Sequence, residues 1–304
     1  MKWPIEVPSA FRTRLANQNP VAGPWLEGLP GLVGSVLADW QLTPIGEPAY
    51  GGTSVVIPVR HRDHGEAALK LVSPLVNADL DARALRLLGG AGVVGLYEYS
   101  DVYQAMLLEW VTGPTGAGHL DPVRMAEICG AVAAEIATVP APSDAPRLSD
   151  LAIDWRVEFA EQHRRASAGA YGLSERIFRR ADEVIADMAH CVIGTMTHGD
   201  LSFQNIIQRN DGSWVAIDPS YLCGPAENEA HTIQRSAPRY QVDGHDVVSS
   251  SYQLLAAFCG AGGFDVDLAQ GISHARFAAS YYWEVEHRGD PRNVEWLRLM
   301  TGES

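Results

Sequence analysis

The chain reads His198-Gly199-Asp200-Leu201-Ser202-Phe203-Gln204-Asn205, and Ile217-Asp218-Pro219 follows, with Asp218 thirteen positions after Asn205. An acid, an Asn five positions later and a second acid after a short apolar strand form a pattern typical of phosphoryl transfer. The transition state needs charge neutralisation more than covalent help, and Mg²⁺ prefers carboxylate and carbonyl oxygens. We therefore expect Asn205 and Asp218 to bind Mg²⁺.

Asp200 lies just before a predicted turn, where its carboxylate can face the hydroxyl of an incoming acceptor. It can take the proton of that hydroxyl during in-line attack, which is the role of a general base. The alternative is that Asp200 and Asn205 are ordinary turn residues, because Asx side chains bond their own backbone. The presence of Asp218 downstream favours the catalytic interpretation.

The composition is that of an ordinary globular enzyme. With 304 residues, 46% hydrophobic and 20% charged, the chain can bury a full core and has room for two lobes. Its start shows no apolar run of a secretory signal, and no stretch approaches the roughly 18 apolar residues of a membrane helix. Four widely spaced cysteines without a Cys-x-x-Cys pair favour a reducing compartment. We predict a cytoplasmic protein without a membrane partner.

The formal charge of −14 and the pI near 5.1 disfavour a nucleic-acid partner, since no Lys/Arg cluster offers a surface for the phosphate backbone. An acidic protein attracts cationic substrates, although solubility alone also explains such a charge.

Residues 1–40 have helical spacing of apolar residues, and strands are predicted from Leu42 to Gly46 and from Val55 to Val59. The turn between these strands contains Gly51, Gly52, Thr53 and Ser54. Glycine lets backbone N–H groups approach a phosphate, so this turn is a candidate phosphate-binding loop. A plain hairpin turn is the alternative.

Lys70 interrupts the apolar strand Ala67 to Val72. A cation in such a run lies either on an exposed edge or in a cleft where it meets an anion. The downstream acids favour the cleft, where Lys70 would contact the α- and β-phosphates of a nucleotide. The helix predicted from about Asn77 to Leu88 offers Asp79 and Asp81 as partners. We favour Asp81, which shares a helix face with two leucines.

Further strands are predicted at Val93–Tyr97 and Ala105–Glu109. A Gly/Pro segment after the second strand marks the boundary between two lobes. The backbone of Glu109, Trp110 and Val111 is then placed to contact the nucleotide base. Helical spacing runs from Pro122 to about His190, with a break near Val139 to Pro142, and again from about Val247 to Leu299.

Five short motifs follow one another along the chain: Gly51-Gly52-Thr53-Ser54, Ala68-Leu69-Lys70, Leu107-Leu108-Glu109-Trp110, His198 to Asn205, and Ala216-Ile217-Asp218-Pro219. This order resembles the aminoglycoside phosphotransferases, and within them the aminoglycoside/hydroxyurea antibiotic-resistance kinases. The similarity extends from the segment Trp25 to Pro30 to the C-terminal helices.

The resemblance implies an α+β, two-lobed protein-kinase-like fold. A small N-terminal lobe with leading helices and an antiparallel sheet would span residues 1–109, and a larger, mainly helical lobe would span residues 110–304. It also implies a kinase that uses Mg²⁺ and transfers the γ-phosphate of ATP or GTP to a hydroxyl of an antibiotic. The roles carried over are Asp200 as base, Asn205 and Asp218 as metal ligands, Lys70 as phosphate clamp, and Glu109 to Val111 as base reader.

Three departures leave the acceptor open. Ser202 stands where relatives usually have His, Leu222 to Glu227 replaces their Leu-Val-Gly-Asp-Pro, and Asp81 replaces a Glu. Two alternatives therefore stay open. One is a metabolic kinase for an amino sugar or another alcohol, and the other is a nucleotide-binding pseudokinase.

The acceptor requires groups that hold it beside Asp200. Candidate residues are Ser202 and acids that could bind ammonium or guanidinium groups. These acids are Glu227, Glu229, Glu284 and Glu286. Because Glu284 and Glu286 are two residues apart on a predicted helix, at most one can line the site. The aromatic run Tyr281-Tyr282-Trp283 could stack on a ring or a cation, but helical spacing favours a core position.

Overall fold

The computed structural model describes residues 5–169, 171–236 and 246–303, without the side chain of Gln18. The first residues of the segment predicted to be helical, Met1 to Pro4, lie outside the described residues. The chain divides into two compact units, one of Met1–Gly90 with Val94–Thr112 and the other of Ala91–Val93 with Gly113–Ser304.

Within its described residues, the first unit contains three helices and an antiparallel sheet of six strands. The helices are α1 (Ser9–Gln18), α2 (Ala22–Asp39) and α3 (Ala78–Leu88). The strands are β1 (Thr43–Pro44), β2 (Ala49–Tyr50), β3 (Ser54–His61), β4 (Gly65–Val72), β5 (Leu96–Ser100) and β6 (Ala105–Glu109). The sheet order is β1-β3-β4-β6-β5, and β2 also pairs with β3.

The two-residue period of the long strands builds the core of this unit. Side chains of β3 and β4 that point to one face, such as Ile57, Leu69 and Leu71, are fully buried together with Leu29 of α2. Successive side chains of a strand point to opposite faces. Lys70 therefore leaves the sheet on the face opposite to its two leucine neighbours.

The helix α3 has clear signals at both ends. The side chain of Asn77 accepts a hydrogen bond from the N–H of Asp79, which satisfies a free donor of the first turn. The helix ends at Gly89, whose left-handed φ of 56° suits glycine. These caps fix the ends of α3 and therefore the positions of Asp79 and Asp81 in its first turn.

The second unit is mainly helical. Its helices are α4 (Pro122–Ile136), α5 (Leu148–Ala168), α6 (Glu175–Ala189), α7 (Ala230–Gln234), α8 (Val247–Gly262), α9 (Val266–Glu286) and α10 (Pro291–Met300). In the part of this unit that the structure describes, β7 (Met196–Thr197) pairs with β10 (Leu222–Cys223), and β8 (Ile206–Gln208) pairs with β9 (Trp214–Ala216), each as a short antiparallel ribbon. An apolar core joins α5, α6, α9 and α10 around the fully buried Phe159 and Tyr282.

The structure corrects two predicted elements. The strand predicted at Val93–Tyr97 runs instead over Leu96–Ser100, because Val93 forms an isolated bridge with Ala216 of the second unit. The long helical segment after Pro122 also has a second break, between Ala168 and Glu175.

The four cysteines are free, and three of them are buried. Burial raises the pKa of the Cys259 thiol to about 12, with a smaller contribution from Glu227, so this thiol stays protonated. Within the described ranges, no helix has the length and apolarity needed to cross a membrane.

Candidate active site

The loop after β7 takes its shape from His198 and Gly199. The His198 ring accepts a hydrogen bond at Nδ1 from the Asp200 N–H (3.3 Å) and donates from Nε2 to the Ile217 carbonyl (3.0 Å). These partners assign the neutral tautomer with its proton on Nε2. Gly199 has a left-handed φ of 86°, and a Cβ there would lie 2.7 Å from the Ser220 Oγ. The Nε2 hydrogen bond to Ile217 and a bond from the Ser220 N–H to the His198 carbonyl (2.8 Å) hold the loop against the segment that contains Asp218.

Glu229 binds the same loop through hydrogen bonds to its carboxylate. It is fully buried, and its carboxylate accepts hydrogen bonds from Thr197 Oγ1 (2.5 Å), Gly199 N (2.5 Å) and Leu201 N (3.0 Å). A carboxylate that accepts several backbone N–H groups fixes their direction strongly. The assignment of Glu229 to acceptor binding is therefore wrong, since its oxygens are used inside the protein.

Asp200 and Asn205 are in direct contact. The Asn205 Nδ2 donates to the Asp200 carbonyl (2.8 Å) and lies 3.3 Å from its Oδ2. The amide oxygen of Asn205 thus points away from Asp200. The Ile217 N–H donates to the Asn205 carbonyl (2.9 Å) at the end of the β8–β9 ribbon, which brings Asn205 and Asp218 to the same end of that ribbon. Asp200 and Asp218 are both exposed.

In the first unit, Lys70 lies beside Asp81. The Lys70 Nζ is 3.4 Å from the Asp81 Oδ2, and the lysine is only 5% exposed. This ion pair fixes the direction of the buried Lys70 side chain. Asp79 lies in the first turn of α3, where its N–H is bonded to the cap Asn77.

The glycine turn is a hairpin between β2 and β3. The Gly51 N–H donates to the Ser54 carbonyl (2.9 Å), and Arg14 donates to the Gly51 carbonyl. Gly51 and Gly52 are exposed, whereas Ser54 is buried and the Thr53 carbonyl accepts from Ser73. The exposed part of the turn is thus limited to its two glycines, and Thr53 is half-buried.

The segment Glu109 to Val111 begins at the last residue of β6 and lies near the end of the first unit. The Glu109 N–H donates to the Gly95 carbonyl (2.8 Å), and its Oε2 accepts from the Gly95 N–H (3.0 Å). The N–H of Glu109 is therefore not free to contact a base. Trp110 and Val111 are half-buried and belong to no strand.

A cavity of about 610 Å³ opens next to Asp200 within the second unit. Its lining includes Ser202, Arg235, Arg276, Glu284 and Asp290. Both charge signs are therefore present in one cavity that contains the predicted base.

Glu284 and Glu286 lie on different sides of α9, as their spacing of two residues requires. Glu284 lines this cavity, whereas Glu286 forms a salt bridge with Arg165 (2.8 Å) on the other side of α9. Glu227 is half-buried and accepts from the Asp265 N–H (3.2 Å) at the start of α9.

The aromatic run on α9 is divided between core and surface. Tyr281 and Tyr282 are buried in the core, and Trp283 is exposed and stacks on His287. The core interpretation therefore holds for both tyrosines.

The cavity is also lined by three residues to which the sequence motifs assign no role, namely His231, Arg235 and Arg276. Burial lowers the pKa of His231 well below its usual value, and the two neighbouring arginines add to this effect, so the ring is neutral. No short motif marks these residues, because α7 and α9 bring them together from distant positions.

A sequence model of the aminoglycoside/hydroxyurea antibiotic resistance kinases matches residues 39–240, well over half of the chain. The chain belongs to this family. The predicted branch of the aminoglycoside phosphotransferases is thereby confirmed.

Two relatives within this group of kinases match nearly the whole chain. Streptomycin 6-kinase of Streptomyces glaucescens is 27% identical, over 98% of each chain. Hydroxyurea phosphotransferase of Kitasatospora aureofaciens is 28% identical, over 93% of this chain and 81% of the relative.

Solved structures confirm the fold of this family member. A macrolide 2′-phosphotransferase of Brachybacterium faecium has a TM-score of 0.54 at 17% identity, covering 91% of this chain and 99% of that chain. An aminoglycoside phosphotransferase of Streptomyces rimosus, in complex with ADP and streptomycin, has a TM-score of 0.51 at 16% identity, covering 82% and 97%. The predicted α+β, protein-kinase-like fold is therefore confirmed.

Proposed function

We propose that the protein inactivates an antibiotic by transferring the γ-phosphate of ATP or GTP to one of its hydroxyl groups. The observation that supports this most directly is the loop in which Asn205 contacts Asp200 and Asp218 lies at the same ribbon end. Membership of the antibiotic-resistance kinase family and the names of both relatives agree with this activity.

In the proposed reaction, the acceptor hydroxyl lies against the Asp200 carboxylate. The carboxylate takes the proton as the hydroxyl oxygen forms a bond to the γ-phosphorus. The bond from this phosphorus to the bridging oxygen breaks, and the nucleoside diphosphate leaves with that electron pair. Glu229 and His198 serve this step by fixing the backbone that directs Asp200.

Asn205 and Asp218 would hold Mg²⁺. The chemistry of the two side chains fits, because the Asn205 nitrogen is used by Asp200 and its oxygen, like the Asp218 carboxylate, is a hard ligand. Within the described part of the chain, no group of three His, Cys, Asp or Glu side chains could bind a metal. A site with few protein ligands suits Mg²⁺, which keeps several waters. When bound, the ion neutralises the charge of the phosphates.

Lys70, held by Asp81, would bind the α- and β-phosphates, and the exposed glycine turn would cover them. The Streptomyces rimosus structure contains ADP and streptomycin, so a nucleotide and an antibiotic together suit this fold. We assign the protein to the cytoplasm, where the nucleotide donor is available and its free thiols stay reduced.

Mass spectrometry tests the proposal. Purified protein with Mg²⁺ and either ATP or GTP is incubated with streptomycin, other aminoglycosides, hydroxyurea and amino sugars. We expect the mass of one added phosphate on an antibiotic. Phosphorylation of an amino sugar alone would support the metabolic alternative, and no nucleotide turnover with any acceptor would support the pseudokinase.

A further inference from the structure

Arg276 brings unused hydrogen-bond donors into the cavity beside Asp200. Its Nη1 donates to the carbonyl and to the Oδ1 of Asn228, both at 3.1 Å. A guanidinium has five N–H donors. Within the described ranges, its Nε and Nη2 donate to no protein acceptor. Arg276 lines the cavity, so these donors are available to a molecule bound there.

A second arginine lines the same cavity. Arg235 follows α7, is exposed, and its side chain has no ion-pair or hydrogen-bond partner among the described residues. The two guanidinium groups repel each other, and burial together with Arg235 lowers the pKa of Arg276 while Glu229 and Asp200 oppose the shift. Two like charges in one cavity repel each other, and an oxygen ligand bound between them would reduce this repulsion.

The cavity also contains an acid without a partner in the described ranges. Glu284 has no ion pair there, whereas the neighbouring Asp290 caps α10 and contacts Arg292. The Glu284 carboxylate is therefore open to a cation, and the Nε and Nη2 donors of Arg276 and the guanidinium of Arg235 are open to oxygen atoms. A purely cationic acceptor would provide no oxygen atom for these remaining donors of Arg276 or for Arg235.

We propose that Arg276 and Arg235 form an oxygen-binding subsite for the acceptor. They receive a carbonyl, a carboxylate or a second hydroxyl oxygen that lies near the reacting hydroxyl. A cationic group on the same acceptor binds Glu284. The planar guanidinium fork suits paired oxygen atoms, and it rejects acceptors that place an amine at that position. This inference rests on the proposed function, because it names the class of acceptor for the same cavity.

The first test measures binding without any acceptor. Equilibrium dialysis with radiolabelled sulfate uses the full chain and saturating Mg²⁺-ADP, which fills the nucleotide site. We expect the parent to bind one sulfate, and Arg276→Gln and Arg235→Gln to weaken this binding about tenfold or more, the loss expected for a charge-assisted hydrogen bond. Arg179→Gln is the control, since Arg179 is exposed on α6 and pairs with Glu175. Equal sulfate binding by the parent and both cavity variants would overturn the subsite, as would no binding by the parent.

The second test uses an acceptor that the parent phosphorylates. We expect Arg276→Gln to raise the acceptor KM about tenfold or more while the nucleotide KM stays within twofold. Arg276→Lys should recover only part of the loss, because lysine retains the charge without the fork. Equal changes in both KM values with a lower Tm would assign Arg276 a structural role only. Failure of the parent to phosphorylate any acceptor would reject the proposed function, while the dialysis result would still decide on the oxygen-binding subsite.

Discussion

Asp218 combines an exposed carboxylate with a left-handed backbone, at φ 60°. Few residues other than glycine adopt this φ, and Asp tolerates it because its side chain can bond locally. We predict that Asp218→Ala abolishes Mg²⁺-dependent nucleotide binding, since it removes a metal ligand. Calorimetric titration with and without Mg²⁺ measures this loss.

Two further variants separate the loss of the metal-binding carboxylate from strain at the left-handed φ of residue 218. Asp218→Asn keeps the tolerance for this φ, and Asp211→Ala removes an exposed acid that bonds Ser213 in the neighbouring turn. Tight Mg²⁺-dependent binding by Asp218→Ala would contradict the metal assignment.

Glu229 is the buried acid that holds the catalytic loop. Three groups now donate to the Glu229 carboxylate: the Thr197 hydroxyl, the Gly199 N–H and the Leu201 N–H. In Glu229→Gln, the amide NH₂ group would replace one carboxylate oxygen and would face at least one of these donors. We predict a loss of about 2–4 kcal/mol in the free energy of unfolding and slower turnover, because buried donors lose their acceptor. Urea unfolding and steady-state kinetics measure both effects. Glu227→Gln is the control, and unchanged values for both Glu229→Gln measurements would reject this role.

At the level of elements, the close packing of α4 on α8 depends on a glycine. A Cβ at Gly130 would lie 2.2 Å from the Phe258 carbonyl oxygen, which belongs to the backbone of α8. We predict that Gly130→Ala destabilises the protein by about 1–3 kcal/mol or more, because the helices must separate. Gly260→Ala is a matched control in α8, where no atom lies within 4 Å of the added Cβ. It should be neutral or stabilise by up to about 1 kcal/mol. Thermal unfolding compares both, and equal stability would contradict the packing.

The sequence predicts those elements whose signals are local. The bounds of β6 match the prediction at Ala105–Glu109, since an apolar run ends there at a polar segment. The position of β5 was wrong because the pairing of Val93 with Ala216 depends on a residue more than a hundred positions away. No periodicity within a short window reports such a partner.

In the candidate site, too, the sequence predicts residues within a continuous motif but not their partners from distant positions. The loop from His198 to Asn205 is a continuous motif, so its residue types indicate their chemistry directly. Glu229 bonds this loop from about thirty positions away, and its charge alone suggested a role in acceptor binding. Arg276 comes from the middle of the long helix α9, where nothing in the sequence distinguishes it from a surface arginine.

For the whole molecule, buried histidines make stability depend on pH. Burial lowers the pKa of His274 to about 4, and Arg180 adds to the shift. The unfolded chain, with a histidine pKa near 6.5, binds this proton more readily than the folded chain. The stability that His274 contributes above pH 6.5 is therefore lost as the pH falls toward 4, by up to about 3 kcal/mol.

We predict that His274→Gln flattens the fall of unfolding free energy between pH 6.5 and pH 4. Urea unfolding at a series of pH values measures this slope. His287→Gln, which changes an exposed histidine, should leave the slope as in the parent. An unchanged slope in His274→Gln would show that other groups determine the acid sensitivity.

The central claim is that Asp200 takes the proton of the acceptor hydroxyl. The most direct measurement is single-turnover kinetics of phosphorylated product for the parent and Asp200→Asn, with nucleotide affinity measured on the same samples. We predict a product-formation rate lower by about a hundredfold to ten-thousandfold with nucleotide affinity nearly unchanged, the effect of removing a positioned general base. An unchanged rate in Asp200→Asn would contradict the account.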